Sequence, residues 1–363
     1  MTRLKIAYLI LENGTVFKGQ PFGYDGEAIG ELVFSTGMTG YLETLSDPAY
    51  FGQIVLQTFP LIGNYGVIPQ DFDSGQAHLK AYIVREWCQE PSNFRSEGNL
   101  DSFLSEHRVP GLFGIDTRAL TRALRVNGVI NAMISRTAEL SDDQWAALRG
   151  YRITGAVAAV CASQESHARP GSVADYTGSL GQEQRSSKKI AIWDFGGAYR
   201  LAEPLISRGC KPEIIRYDSA ADDIIAQNPD GIVLSGGPGD PSENIAIIQE
   251  IKKVCDHNIP IFAVGLGHQM LALARGAVTI KLPFGNRGSN QPVREFATGR
   301  VFVTTQNHGY AVDSGSLPDS SEISHENLND RTCEGIAYKD IPAFSVQFFP
   351  TEDVFDRFVA FIN

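Results

Sequence analysis

Two different rhythms of apolar residues run along this chain of 363 residues. In the first part, LKIAYLILE and TVFKG flank Asn13-Gly14, a dipeptide suited to the left-handed positions of a tight turn, and the segment predicts a β-hairpin. ELVFST and QIVLQTF continue the β-like pattern. Helical spacing follows at LDSFLSEHRV and at DTRALTRALRVNG, where Asp116 suits the start of the helix and Gly128 its end. Strands first and helices after predict an α+β domain over residues 1–150.

Residues 163–188, SQESHARPGSVADYTGSLGQEQRSSK, are polar, rich in Ser, Gly and Gln, and carry no apolar period. They predict a linker, placed at 151–188 between the first domain and a second at 189–363. Beyond it, KIAIWDF, KPEIIRY, DGIVL and IPIFAV read as buried strands. YRLAEPLISRG, ADDIIAQNP, SENIAIIQEIKKVCDHN and HQMLALARG read as the helices between them. Alternation of this kind predicts an α/β domain with a mostly parallel, helix-flanked sheet. Sites in such sheets form outside the carboxyl ends of the strands, where DFGG, SGGPGDP and GLGHQ fall. QNHGY (306–310) reads as a further polar turn after the strand-like VFVTT, and AFSVQFFP (343–350) as a strand ending at Pro350.

The formal charge of −11 narrows the choice of partner. Neither a nucleic-acid backbone nor an anionic membrane attracts such a surface as a whole. No apolar run approaches the length of a membrane span, and the start of the chain lacks a signal-peptide cleavage pattern, so the cytoplasm is the expected location. The cysteines, Cys88, Cys161, Cys210, Cys255 and Cys333, are odd in number and hold no C-x-x-C pair. Neither a disulfide framework nor a metal site is expected.

The glycine-rich turn SGGPGDP (235–241) has two readings: a tight connection needing positive φ, or a cradle of backbone N–H groups for a developing oxyanion. No Lys-Ser/Thr pair follows it, so it is not a phosphate-binding P-loop. GLGHQ joins a strand directly to a helix, the arrangement of a nucleophile elbow. Yet the residue at the bend is Gly265, which has no side chain. His268 beside it reads as a structural hydrogen-bonding residue.

The chain resembles the small subunit of carbamoyl phosphate synthetase, and its second half resembles a class I glutamine amidotransferase domain. The first-half match runs through GELVFSTGMTGYLETLSDPAYFGQIVLQTFPLIGNYGV (30–67). The second-half match runs through WDFGG, LSGGPGDP, GLGHQMLALA, FGNRGSNQPV, TTQNHGYAVD and AFSVQFFP, in family order. The resemblance implies glutamine hydrolysis by a cysteine, a histidine and a glutamate, with ammonia passed to a large ATP-grasp synthetase subunit. It assigns this chain no cofactor and no metal.

Residue by residue, the carry-over is incomplete. The cysteine of G-I-C-L-G-H-Q is Gly265, the histidine of F-H-P-E is Phe349, and the glutamate two positions later is Thr351. In the first half, the serine of D-P-S-Y is Ala49. The other substrate-binding positions persist as Gly237, Gly239, Leu266, Gln269, Asn307, Gly309 and Tyr310. Loss of a nucleophile or base alone costs on the order of 10⁶ in turnover, so no useful glutaminase activity is expected. Cys255, His268, His308 and Glu352 are poor substitutes, since none offers a nucleophile paired with a base.

Three readings follow. The chain is a non-catalytic structural or regulatory subunit of an ammonia-using synthetase complex, partnered by the large ATP-grasp subunit. Alternatively, it is a sensor binding glutamine or a related small ligand in the retained pocket. The third is an active amidotransferase using an unrecognised nucleophile.

Overall fold

The computed structural model describes residues 6–166 and 188–362. It divides into two compact units: Met1–Thr154 with Asn286–Gly288, and Gly155–Gly285 with Ser289–Asn363.

In the first unit β1 (Ala7–Leu11) and β2 (Val16–Gly23) form the expected hairpin, with Ile10 opposite Val16. Gly14 takes φ 88°, and the Asn13 side chain accepts from the Thr15 N–H at 3.0 Å. The hairpin joins β3 (Ala28–Ser35), β4 (Gln53–Gln57), β6 (Ala81–Ile83), β8 (Pro110–Phe113) and β9 (Ile130–Ser135) in a closed barrel of order β1-β2-β8-β6-β4-β3-β9. The short strands β5 (Leu61–Ile62) and β7 (Glu86–Trp87) pair separately. Closure leaves the barrel without exposed strand edges. The helices are α1 (Tyr41–Ser46), α2 (Leu100–Glu106), α3 (Thr117–Asn127) and α4 (Asp142–Gly150). Asp116 caps α3 by accepting from the Ala119 N–H, and Gly128 ends it at φ 80°.

The second unit opens with α5 (Ala156–Ser166), which lies within the stretch expected as linker. Ala156, Val157, Val160 and Cys161 recur at helical spacing and are buried, so this part packs as an element. The rest of that stretch, 167–187, lies outside the described residues.

Parallel strands β10 (Lys189–Trp193), β11 (Lys211–Ile215), β12 (Gly231–Leu234) and β13 (Ile261–Val264) alternate with α6 (Tyr199–Ile206), α7 (Ala221–Ala226) and α8 (Ile245–Cys255). Then come α9 (Leu266–Ala274), β14 (Thr279–Glu295), β15 (Val301–Val312), β16 (Ser321–Asn327), β17 (Cys333–Tyr338), β18 (Ala343–Val346) and α10 (Glu352–Phe361). Among the described residues they form a nine-stranded sheet of order β11-β10-β12-β13-β18-β17-β15-β14-β16. The first five strands are parallel and the others antiparallel.

Both faces of the parallel part are covered, which explains why β10 reads as an unbroken apolar run. Ala191 and Trp193 enter one core with Ile251 and Met270. Ile190 and Ile192 enter the other with Leu201, Leu205, Phe355 and Phe358.

One expectation is corrected. QNHGY (306–310) is not a turn but lies inside β15. Its polar residues mark no surface loop, because Gln306 and His308 are buried and hydrogen-bonded to one another and to neighbouring groups.

Candidate functional site

The strand order β10-β12-β13-β18 brings four carboxyl ends side by side; the first three lead into DFGG, SGGPGDP and GLGHQ, and the fourth into QFFP. After β10, the Asp194 carboxylate accepts from the N–H groups of Gly196 (2.8 Å) and Ala198 (3.2 Å). Burial pushes its carboxyl above the ordinary carboxylate range despite these donors. The turn is joined to the next by Phe195 N–H, which donates to Ser235 Oγ at 2.8 Å.

After β12 space requires glycine at 237, and both φ and space require it at 239. A Cβ on Gly237 would fall 2.1 Å from the carbonyl oxygen of Phe195 and 3.0 Å from Leu266 Cδ2. Gly239 takes φ 88°, and a Cβ there would meet Ala156 at 2.9 Å.

After β13 the chain bends at Gly265, with φ 55° and ψ −114°. Its N–H donates to Val346 O at 2.9 Å, and its carbonyl accepts from the Gln269 N–H at 3.2 Å. The bend is strained for an L-residue, but it is not crowded. A Cβ at this position would meet only Gly236 Cα at 3.4 Å and Gln347 O at 3.9 Å. Leu266 opens α9 and is buried. The Gly267 N–H is taken by Ser235 O at 3.0 Å. First-turn N–H groups have no partner within their own helix, so this end of α9 faces the glycine turn as a donor surface.

Gln269 binds the site together from the helix side. Its Nε2 donates to the Tyr310 carbonyl at 2.7 Å and to Gln347 Oε1 at 2.8 Å. Asn307, Gly309 and Tyr310 are half-buried on β15. Gly265, Leu266, Gln269, Gly237 and Tyr310 are therefore brought together by direct contacts. Phe349 and Thr351 turn to other partners. Phe349 donates its N–H to Thr305 O at 2.9 Å, packs on the core and lies under the Arg200 guanidinium, 4.2 Å from Cζ to ring centre. The Thr351 hydroxyl is hydrogen-bonded to the Asp353 carboxylate at the start of α10. Ala49 belongs to the first unit, in the short turn Pro48–Tyr50, where its N–H donates to Asp47 Oδ1 at 2.9 Å.

Three of the thiols and one imidazole are held in their neutral forms by burial. Burial pushes the thiols of Cys255 and Cys333 up to about 11 and about 12, and it raises Cys210 as well. His268 is fully buried with Nδ1 2.8 Å from Ser345 Oγ. Burial first, and then His308 and His325, lower its imidazole to about 3. Among the described residues, no group of three or more His, Cys, Asp or Glu side chains is placed to hold a metal ion, and no helix is long and apolar enough to cross a membrane.

Three participants escaped the sequence reading: Arg200 over Phe349, Gln347 beside Gln269, and Glu334 next to His308. Only Glu334 left a signal, a single carboxylate inside the otherwise apolar and small strand CEGIAY.

The family model for the carbamoyl-phosphate synthase small chain, CPSase domain, matches residues 9–134, and that for glutamine amidotransferase class-I matches residues 191–353. A carbamoyl phosphate synthase small chain from Clostridium perfringens is 43% identical over 363 residues, covering 98% of this chain and 99% of that protein. This chain belongs to the carbamoyl phosphate synthase small chain family. Further carbamoyl phosphate synthase small chains are similar throughout. That of Syntrophotalea carbinolica is 44% identical, covering 95% of this chain and 92% of its own. That of Fusobacterium nucleatum is 43% identical, covering 98% of each. The chain is thus a carbamoyl phosphate synthase small subunit with a class-I glutamine amidotransferase domain, and its elbow is built around a glycine.

Proposed function

We propose that this small chain performs no glutaminase chemistry and serves as a structural or regulatory subunit of an ammonia-using synthetase. Its partner is a large ATP-grasp subunit, engaged through the N-terminal domain and neighbouring surfaces. The observation that carries this reading is the bend at Gly265, which keeps elbow dihedrals and offers no atom able to attack.

The other two triad positions support it. Phe349 has no lone pair to accept a proton, and it fills its place with packing and an Arg200 contact. Thr351 carries no charge to stabilise an imidazolium and hydrogen-bonds within its own helix turn. Cys210, Cys255 and Cys333 give a displaced nucleophile no support, since thiols raised by burial are poorly ionised at neutral pH.

The decisive experiment co-expresses the chain with the large ATP-grasp subunit of the same genome. A defined complex should form and make carbamoyl phosphate from ammonium but not from glutamine. Glutamate release above background, or failure to associate with any synthetase chain, refutes the proposal. Asn307, Gly309 and Tyr310, half-buried on the strand that Gln269 ties to α9, favour a second reading, binding of glutamine or a related amide without hydrolysis. Calorimetry that detects no heat with glutamine, glutamate or their analogues eliminates it.

A further inference from the structure

The antiparallel end of the sheet closes on itself, because β16 pairs with β17 as well as with β14. Gln291, Thr304, Gln306, His308, Asn327 and Glu334 are buried there. Proton positions in such a network follow from groups whose role is unambiguous.

Two such anchors exist. The backbone N–H of Asn329 donates to Asn327 Oδ1 at 2.8 Å, so the other terminal atom of Asn327 is its nitrogen. That nitrogen lies 3.3 Å from Gln306 Oε1. Independently, the Thr304 hydroxyl donates to the carbonyl of Gln291 at 2.9 Å, leaving its oxygen to accept from Gln306 Nε2 at 3.1 Å. Both anchors orient the Gln306 amide the same way. Its nitrogen faces Glu334 Oε2 at 2.9 Å, and its oxygen faces His308 Nε2 at 3.1 Å.

The other ring nitrogen of His308, Nδ1, lies 2.9 Å from the carbonyl oxygen of Tyr310. Each nitrogen of the ring therefore meets an oxygen that has lone pairs and no hydrogen. A neutral imidazole donates from one nitrogen only, so it would set a lone pair against one of these oxygens. An imidazolium satisfies both.

We propose that His308 is held as an imidazolium inside the fold, with Glu334 as its counter-charge and as a positioning residue for the pocket-wall strand Asn307–Tyr310. Glu334 Oε1 lies 3.7 Å from His308 Nε2. Burial, and also the charge of Asp330, push the Glu334 carboxyl upward; against them Gln306 Nε2 donates to it at 2.9 Å, and it shares the single Thr332 hydroxyl proton with Asp330 Oδ1. Passing one proton from Glu334 to His308 leaves the net charge of the pair unchanged; the ion pair costs desolvation, and the two oxygens facing the ring are what favour it. Titratable groups beside His308 include Glu334 from β17 and His268 from α9. His268 stays neutral, and a charge on His308 is one of the causes that keep it so.

The consequence reaches the pocket wall. The Tyr310 carbonyl receives both His308 and Gln269, which ties β15 to the helix behind the elbow. The inference concerns the retained wall and holds whether or not the chain hydrolyses anything.

The test is ¹⁵N NMR of the full chain labelled at its seven histidines, with His308 assigned through His308→Gln. At pH 7.5 both His308 ring nitrogens should carry protons, with a deprotonation midpoint above that pH and so well above the ordinary value of about 6.5. In Glu334→Gln that midpoint should fall by about 1–3 pH units. A wild-type His308 with one protonated nitrogen and one lone pair at pH 7.5 overturns the assignment, and this spectrum decides even if Glu334→Gln does not fold. A folded Glu334→Gln protein with an unmoved midpoint overturns the role given to Glu334.

Discussion

The cost of placing a side chain at the elbow separates two reasons for finding glycine there. If the backbone angle alone favours glycine, Gly265→Ala pays only torsional strain, because its Cβ would meet nothing closer than 3.4 Å. A non-glycine residue in such a conformation costs about 1–3 kcal/mol. Each kcal/mol moves the midpoint of a domain this size by about 2–4 °C, so the melting transition of Gly265→Ala should fall by roughly 2–12 °C. Gly237→Ala is the control, since its Cβ would lie 2.1 Å from the backbone oxygen of Phe195 and the turn must shift. Calorimetric melting of both variants, with circular dichroism to verify the fold, provides the comparison. Gly237→Ala should be the more damaging of the two. If Gly265→Ala proves as harmful as Gly237→Ala, the elbow has closed around its glycine and no longer has room for a nucleophile.

The same room makes repair testable. Gly265→Cys with Phe349→His and Thr351→Glu should release glutamate measurably, at least about 100-fold above any single variant, because triad members act as a unit; an inactive folded triple variant shows that the surrounding backbone has also drifted. Phe349→Ala removes core packing together with the Arg200 contact, and should cost about 1–3 kcal/mol in denaturant unfolding; a neutral result means that the ring fills no structural place. Burial lowers His325 from 6.5 to about 4. The native state then binds fewer protons than the unfolded one, so this contribution is present above pH 6.5 and is lost as the pH falls toward 4. Stability measured by urea unfolding between pH 4 and 7 should depend less steeply on pH in His325→Phe, and an unchanged slope refutes the assignment.

Local instructions were legible without coordinates. Asn13-Gly14 makes its hairpin, Asp116 and Gly128 bound α3, and the strand–helix alternation beyond the linker is the observed one. Each depends on residues adjacent in the chain, through turn dihedrals, caps and the period of burial. Gly265 at the bend was equally visible, since motif spacing alone marks it.

What distant segments do to one another was not legible. The pairing of β2 with β8 closes the barrel across a long sequence separation. Burial of Val157 and Val160 makes a helix of residues that border a polar tract. Polar QNHGY lies in a strand because Glu334 and Asn327, supplied by β17 and β16, meet hydrogen-bonding needs that water would otherwise meet. The chain alone specified which side chains are present and how each short stretch bends. Tertiary structure decided which polar groups are sheltered from solvent, because sheltering requires partners from several strands at once.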